Sequence, residues 1–216
     1  MTFVFSVVVV LGIAARVLPP AETEYAQAAA PAHVNEKGVC VVIDPGHGGD
    51  DEGAIGENGT MEKDAALQTA LRIQQELLAR TKATVILTRD QDVDVSLEDR
   101  VKVASETSAD VFISIHYDAF TDPTIQGMTI YFFDEEDWNL AEAIHERLLD
   151  SDLNTEDRGI EFEDYHVLRE NPSPAVLLEL GYVSNRSDEA RINSQDYQEK
   201  VAAAIADGII EFLKSR

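Results

Sequence analysis

Three short runs constrain the fold more than anything else in the chain. Residues 39–43 (VCVVI), 110–116 (DVFISIH) and 175–180 (AVLLEL) are almost wholly apolar and rich in branched side chains. None alternates polar and apolar positions, so none reads as a strand with one wet face. Continuous apolar runs of this length are strands covered on both sides, as in a parallel sheet. Segments of a different period lie between them. Residues 62–80 place Leu67, Ala70, Leu71, Gln74, Leu77 and Leu78 on one helical face, with Thr60 as the expected N-cap. A short helix is predicted over 96–107, opened by Ser96 with Asp99 three positions on, and another over 137–150. A last helix over 196–214 turns Val201, Ala204, Ile205, Ile209 and Phe212 inward. Further strands are predicted at 83–88 and 127–133. This alternation predicts an α/β fold: a single three-layer domain, with a mostly parallel twisted sheet of about six strands and helices on both faces.

Charge limits the partners. The chain carries 41 Asp and Glu against 17 Lys and Arg, a formal −24. With no basic cluster to displace counterions from phosphate, nucleic-acid binding is excluded, as is an anionic membrane surface. Cys40 is the one cysteine, so an intramolecular disulfide and a four-cysteine zinc site are both ruled out. It reads as a small buried hydrophobe on the first strand.

Residues 3–15 (FVFSVVVVLGIAA) are apolar and uncharged, and are followed by Arg16 and Pro19-Pro20. The run is shorter than the about 20 residues of a bilayer span. It fits the apolar region of a secretory signal, with AQAAA at 26–30 as a cleavage region, although no Lys or Arg precedes it. The expectation is a signal peptide or N-terminal anchor over 1–30, a linker over 31–38, a folded domain over 39–216, and export. No integral membrane domain is expected.

Sheets of this kind gather their chemistry at the carboxyl ends of the strands. The first strand runs into Asp44-Pro45-Gly46-His47-Gly48-Gly49, the third ends in Ser114-Ile115-His116, and the late strand carries Glu179 just before Gly181. If these strands are parallel, His47, His116 and Glu179 crowd one edge. Glu62, which opens the first helix, reaches the same edge. Two histidines and one carboxylate form the ligand set of catalytic zinc with an open position. Such a zinc lowers the pKa of its water and polarises a carbonyl, which amide hydrolysis requires. A second carboxylate, off the metal, would move the proton. Residue spacing leaves open which glutamate does which.

Duller readings account for the other candidates. His33 and His145 read as ordinary surface or core histidines. His145-Glu146 opens like HExxH, but position 149 is Leu. The acidic stretch 50–64 lacks the glycine of a calcium loop, since Ile55 stands at the sixth position from Asp50. By contrast, His116 and Glu179 lie in apolar runs, where an unpartnered polar group is costly.

The ordered motifs DPGHGG, GAIG, MEKD, TRDQD, SLEDR, SADVFISIH and VLRENPSPAVLLELGYVSN, followed by an acidic-aliphatic terminal helix, extend the reading. Over about 39–212 the chain resembles the zinc-dependent N-acetylmuramoyl-L-alanine amidases of the amidase_3 type, which are bacterial cell-wall hydrolases. The resemblance implies that His47, Glu62 and His116 bind one Zn2+ per chain and that Glu179 is the catalytic carboxylate. It implies peptidoglycan as partner and substrate, cut between the lactyl group of N-acetylmuramic acid and L-alanine. The cell wall, periplasm or extracellular space is then the place of action.

Other positions follow from the same resemblance. Asp44 would steady a ligand histidine, and Asp118 stands where the family has Asn or Asp. Tyr117 would narrow the groove. His166 either contacts substrate or the developing oxyanion or is an exposed loop residue. Arg158 and Arg169 pair with stem-peptide carboxylates or with local acids. Residues 134–139 leave no room for a helix that would block the site, so an open groove is expected; separately, a monomer is expected. Two alternatives stay open: a metallo-carboxypeptidase on stem peptides, and a non-catalytic wall-binding domain. The second predicts a broken ligand set, whereas all four key residues are intact.

Overall fold

The three apolar runs become neighbouring strands. In the computed structural model, which describes residues 38–216, the strands are β1 (Cys40–Pro45), β2 (Thr84–Leu87), β3 (Val111–Asp118), β4 (Met128–Phe132), β5 (Asp157–Phe162) and β6 (Ala175–Tyr182). The leader expected over 1–30, His33, and all but the last residue of the linker lie outside the described residues. The strand order is β2-β1-β3-β6-β4-β5. β1, β2, β3 and β6 run parallel, β4 is antiparallel to β6, and β5 is parallel to β4. The sheet is therefore six-stranded and mostly parallel, as expected.

The helices are α1 (Glu62–Arg80), α2 (Leu97–Thr107), α3 (Trp138–Leu149), α4 (His166–Arg169), α5 (Arg186–Ile192) and α6 (Gln195–Ser215). Val41, Ile43, Ile113 and Ile115 pack with α1, α3 and α6, while Val42, Phe112 and Leu177 pack with α2 and α4. Successive side chains on β1 thus enter opposite apolar layers, which is why the strand shows no polar alternation. Cys40 is buried on β1. Among the described residues, no helix is long and apolar enough to cross a membrane.

Two expectations about α1 fail. The buried stripe is Glu62, Ala65, Ala66, Thr69, Ala70, Ile73 and Leu77, while Leu78 is 54% exposed. Ala70 and Leu77 lie in the stripe as expected; small residues let the helix lie close to the sheet, while Leu67, Leu71 and Gln74 are only half-buried on its flank. Met61 is the N-cap and its side chain makes no capping bond, so Thr60 is not the cap. The stripe matters because it starts at Glu62 and aims that carboxylate inward.

β5, α4 and α5 were not anticipated. β5 (DRGIEF) is an edge strand covered on one side, so it tolerates charges and a glycine that mask its pattern. The connection after β4 holds only a short 3-10 turn, Glu135–Asp137, before α3 begins. In register, Asp44 stands opposite Ser114, His116 opposite Glu179, and Glu179 opposite Thr129. This brings the chemistry of three strands to one edge.

Candidate metal centre

The loop after β1 presents His47. Its backbone is in the left-handed region, with φ 56°. Gly46 is required there because a Cβ would fall 2.2 Å from the His116 ring. Two buried arginines hold the loop by its carbonyls. Arg89 Nε donates to Pro45 O at 3.1 Å, and its Nη2 donates to Gly46 O at 2.7 Å and Lys63 O at 2.8 Å. Arg100 donates from Nη1 to Pro45 O at 2.6 Å and from Nη2 to His47 O at 2.7 Å. Asp44 compensates the Arg100 charge at 2.7 Å and also accepts from Thr88 at 2.6 Å and Ser114 at 2.7 Å. Asp44 thus reaches the His47 loop through Arg100, while the His47 ring bonds Asp51, with Nδ1 2.8 Å from Oδ2.

Glu62 joins the two histidines. Its Oε1 lies 3.0 Å from His47 Nε2 and 2.9 Å from His116 Nδ1, and accepts from Tyr117 N at 3.1 Å. Its Oε2 accepts from Ala54 N at 2.9 Å. One donor atom from each of His47, Glu62 and His116 fits within a 4.8 Å span, a group that could hold a metal ion. Nitrogen, nitrogen and carboxylate oxygen are the donors of an open zinc site. Burial works against ionised Glu62, but the two imidazoles outweigh it and hold the carboxyl far below its usual range. The N-terminus of α1 favours the same charge. Burial likewise opposes charging His47, yet Glu62 and Asp51 prevail and raise its pKa.

Glu179 contrasts with Glu62. It is 8% exposed, and its Oε2 has no hydrogen-bond partner among the described residues. Burial, then the charges of Glu62 and Asp118, push its carboxyl well above the usual range. It lines a cleft of about 610 Å³ together with His47, Glu62 and His116. Asp118 and His166 line the same cleft, and burial raises the Asp118 pKa.

Tyr117 does not narrow this cleft. It is fully buried, and its hydroxyl bonds Thr69 at 2.7 Å. The next position on a strand points to the other face, so His116 and Tyr117 cannot both face the cleft. His145 bonds Asp157 at 2.7 Å, away from these residues. Arg169 is engaged by Asp164 and Glu170. Arg89, Arg100 and Asp51 were not singled out from sequence. Their motifs TRDQD and SLEDR were visible, but an arginine among acids looks like a solvated surface, and only the fold shows these two to be buried.

A mostly parallel α/β sheet thus carries at its carboxyl edge a His–Glu–His group that could hold a metal ion and, in the same cleft, a separate buried glutamate. The family model for N-acetylmuramoyl-L-alanine amidase, Amidase_3, matches residues 41–211, and the chain belongs to that family. It is 40% identical over 181 residues to the probable cell wall amidase LytH of Staphylococcus epidermidis, covering 83% of this chain and 60% of that protein. The chain thus spans about three-fifths of the length of that relative. It is similar to the catalytic domain of CwlV, the amidase of Bacillus (Paenibacillus) polymyxa var. colistinus, with 39% identity and TM-score 0.79, over 82% of this chain and 99% of that one. It is also similar to the N-acetylmuramoyl-L-alanine amidase of Clostridium difficile 630, with 32% identity and TM-score 0.81, over 84% and 100% of the two chains.

Proposed function

We propose that the protein is a zinc-dependent peptidoglycan amidase that hydrolyses the amide between the lactyl group of N-acetylmuramic acid and L-alanine. The observation that carries this reading is one cleft holding a tightly bonded His47–Glu62–His116 group and, across from it, the unpartnered carboxyl of Glu179. His47, Glu62 and His116 would hold one Zn2+ per chain. Bound there, zinc supplies a lowered water pKa and a polarised carbonyl.

The chain's own residues do the rest. Glu179, made a stronger base by burial, takes the water's proton at its free Oε2 and returns it to the departing alanine nitrogen. Arg89 and Arg100 keep the His47 loop in its strained conformation, and Asp44 keeps Arg100 in place. Asp118 and His166 border the groove where substrate would lie. Residues 39–216 form the catalytic domain of this reading, preceded by the exported leader and linker. The cell wall is the place of action, in keeping with the relatives' name. The open cleft supports activity without an added activator, and we take the protein to be a monomer.

The test is digestion of purified peptidoglycan with and without a chelator, followed by mass analysis of the soluble products. Intact stem peptides with a new amine on L-alanine, lost on chelation and restored by zinc, are expected. Released D-alanine would mean a carboxypeptidase instead. Zinc bound with nothing released would mean a wall-binding domain or a need for an activator.

A further inference from the structure

The edge of the sheet beside Glu179 carries a cation that the chemistry above does not use. Between β4 and β5 the register runs Met128↔Asp157 and then Ile130↔Ile160, so Arg158 and Gly159 together face Thr129. This is a β-bulge, and Gly159 supplies its left-handed backbone with φ 86°. Bulges of this kind re-aim a side chain beside a site. On its other side Thr129 stands opposite Glu179. Glu179, Thr129 and Arg158 therefore form a row across three strands. Two strand spacings separate its ends, about 10 Å.

The Arg158 side chain is positioned but not engaged. Its Cγ lies against Gly127, where an added Cβ would come within 3.0 Å of it. Its guanidinium sits over the Tyr182 ring, 5.5 Å from the centroid. Tyr182 stands opposite Asp118, which borders the cleft. Yet Arg158 is exposed and has no carboxylate oxygen within 4.0 Å among the described residues, whereas Arg169 is held by two acids. Arg100, the guanidinium inside the cleft, is already occupied by Asp44 and backbone carbonyls. The other titratable side chains that line the cleft are carboxylates, three histidines and Tyr165, so among the described residues Arg158, beside the cleft, is an arginine left open to an anionic part of a substrate.

We propose that Arg158 is a specificity-determining residue that binds a free carboxylate of the stem peptide, at the second or third residue beyond the scissile amide. This rests on the amidase reading of the cleft. An extended chain advances about 3.3–3.6 Å per residue, so about 10 Å from Glu179 corresponds to about three residues of extended chain, less the reach of the Arg158 side chain. The carboxylates of the substrate lie on its peptide side, which fixes the direction: the peptide runs from the cleft across β6 and β4 toward the β5 edge. A planar guanidinium supported on an aromatic ring is suited to bidentate carboxylate binding.

The experiment uses zinc-loaded protein and synthetic muramoyl tripeptides. One carries free carboxylates at residues two and three, two carry a single one, and one carries carboxamides at both. The wild-type protein should favour at least one carboxylate form over the dicarboxamide by about tenfold in kcat/KM, the size of an exposed charge-assisted bond. In Arg158→Gln that ratio should fall to about one, mainly through KM, and Arg158→Lys should restore part of it. Arg169→Gln should keep the wild-type ratio. A wild-type protein without preference, or an Arg158→Gln protein that retains it, overturns the assignment. If mass analysis shows no substrate opened at the muramoyl–alanine amide, the amidase reading itself falls and takes this assignment with it.

Discussion

The two sides of the cleft are built in opposite ways. On the side made by β1, α1 and α2, each charged group in the loop support has several partners. Asp44 has three side-chain partners, Arg89 and Arg100 hold four backbone carbonyls of Pro45, Gly46, His47 and Lys63, and Glu62 bridges both histidines. On the side made by β6, β4 and β5, among the described residues, Glu179 keeps a free oxygen and Arg158 has no carboxylate partner. Burial alone does not explain the contrast, because Asp44 and Glu179 are both buried strand-end carboxylates. The difference lies in what faces them. A fully bonded side holds fixed geometry, as a metal centre needs. On the proposed reading, the side with unfilled bonds is the one that acts on a substrate.

The comparison can be broken by exchanging the properties of the two sides. The largest effect is expected from Glu179→Gln. Turnover of peptidoglycan should fall about 100- to 10,000-fold, the range for a lost general acid–base group, with the fold unchanged by circular dichroism. Asp44→Ala should act on stability instead. It leaves Arg100 buried without its counter-charge, and urea unfolding should show a loss of about 3 kcal/mol.

The pH dependence of stability distinguishes the same groups in metal-free protein. The carboxyl of Glu179 lies above its ordinary 4.5 in the folded state, so the folded chain holds a proton that the unfolded chain has lost. Stability therefore falls as pH rises from 4.5 through the folded value. Glu179→Gln lacks that loss. Its advantage over wild type should be absent near about pH 4 and grow toward about pH 7, as measured by urea midpoints. An advantage that shrinks as pH rises would contradict the assignment. The smallest effect is expected from Ser114→Ala, which removes one of the three bonds to Asp44. It should cost about 1 kcal/mol and leave turnover as it was.

Legibility in the sequence followed the same division. The apolar runs announced β1, β3 and β6 because strands covered on both faces cannot carry charge. Their polar ends, His47, His116 and Glu179, stood out for that reason. Glu62 was placed by its position at the start of a helix, although the helix turns a different face inward than its leucines indicate. The support of the centre was much less visible. Arg89 and Arg100 sit in charged, surface-like motifs, and their burial depends on loops that meet only in the folded chain. β5 was missed because an edge strand with Asp157, Arg158, Gly159 and Glu161 lacks the alternation of a half-buried strand. The bulge that aims Arg158 is a matter of register between two strands, which no single segment encodes.

The central claim is the division of labour between two glutamates in one cleft, and metal content tests it most directly. Zinc per chain would be measured on Glu179→Gln and Glu62→Gln, purified side by side and equilibrated with zinc. The account predicts that Glu179→Gln keeps one zinc while losing its hydrolytic activity, and that Glu62→Gln binds zinc at least about tenfold more weakly, as loss of a direct ligand requires. Loss of zinc from Glu179→Gln with full retention by Glu62→Gln would reverse the two roles and contradict it.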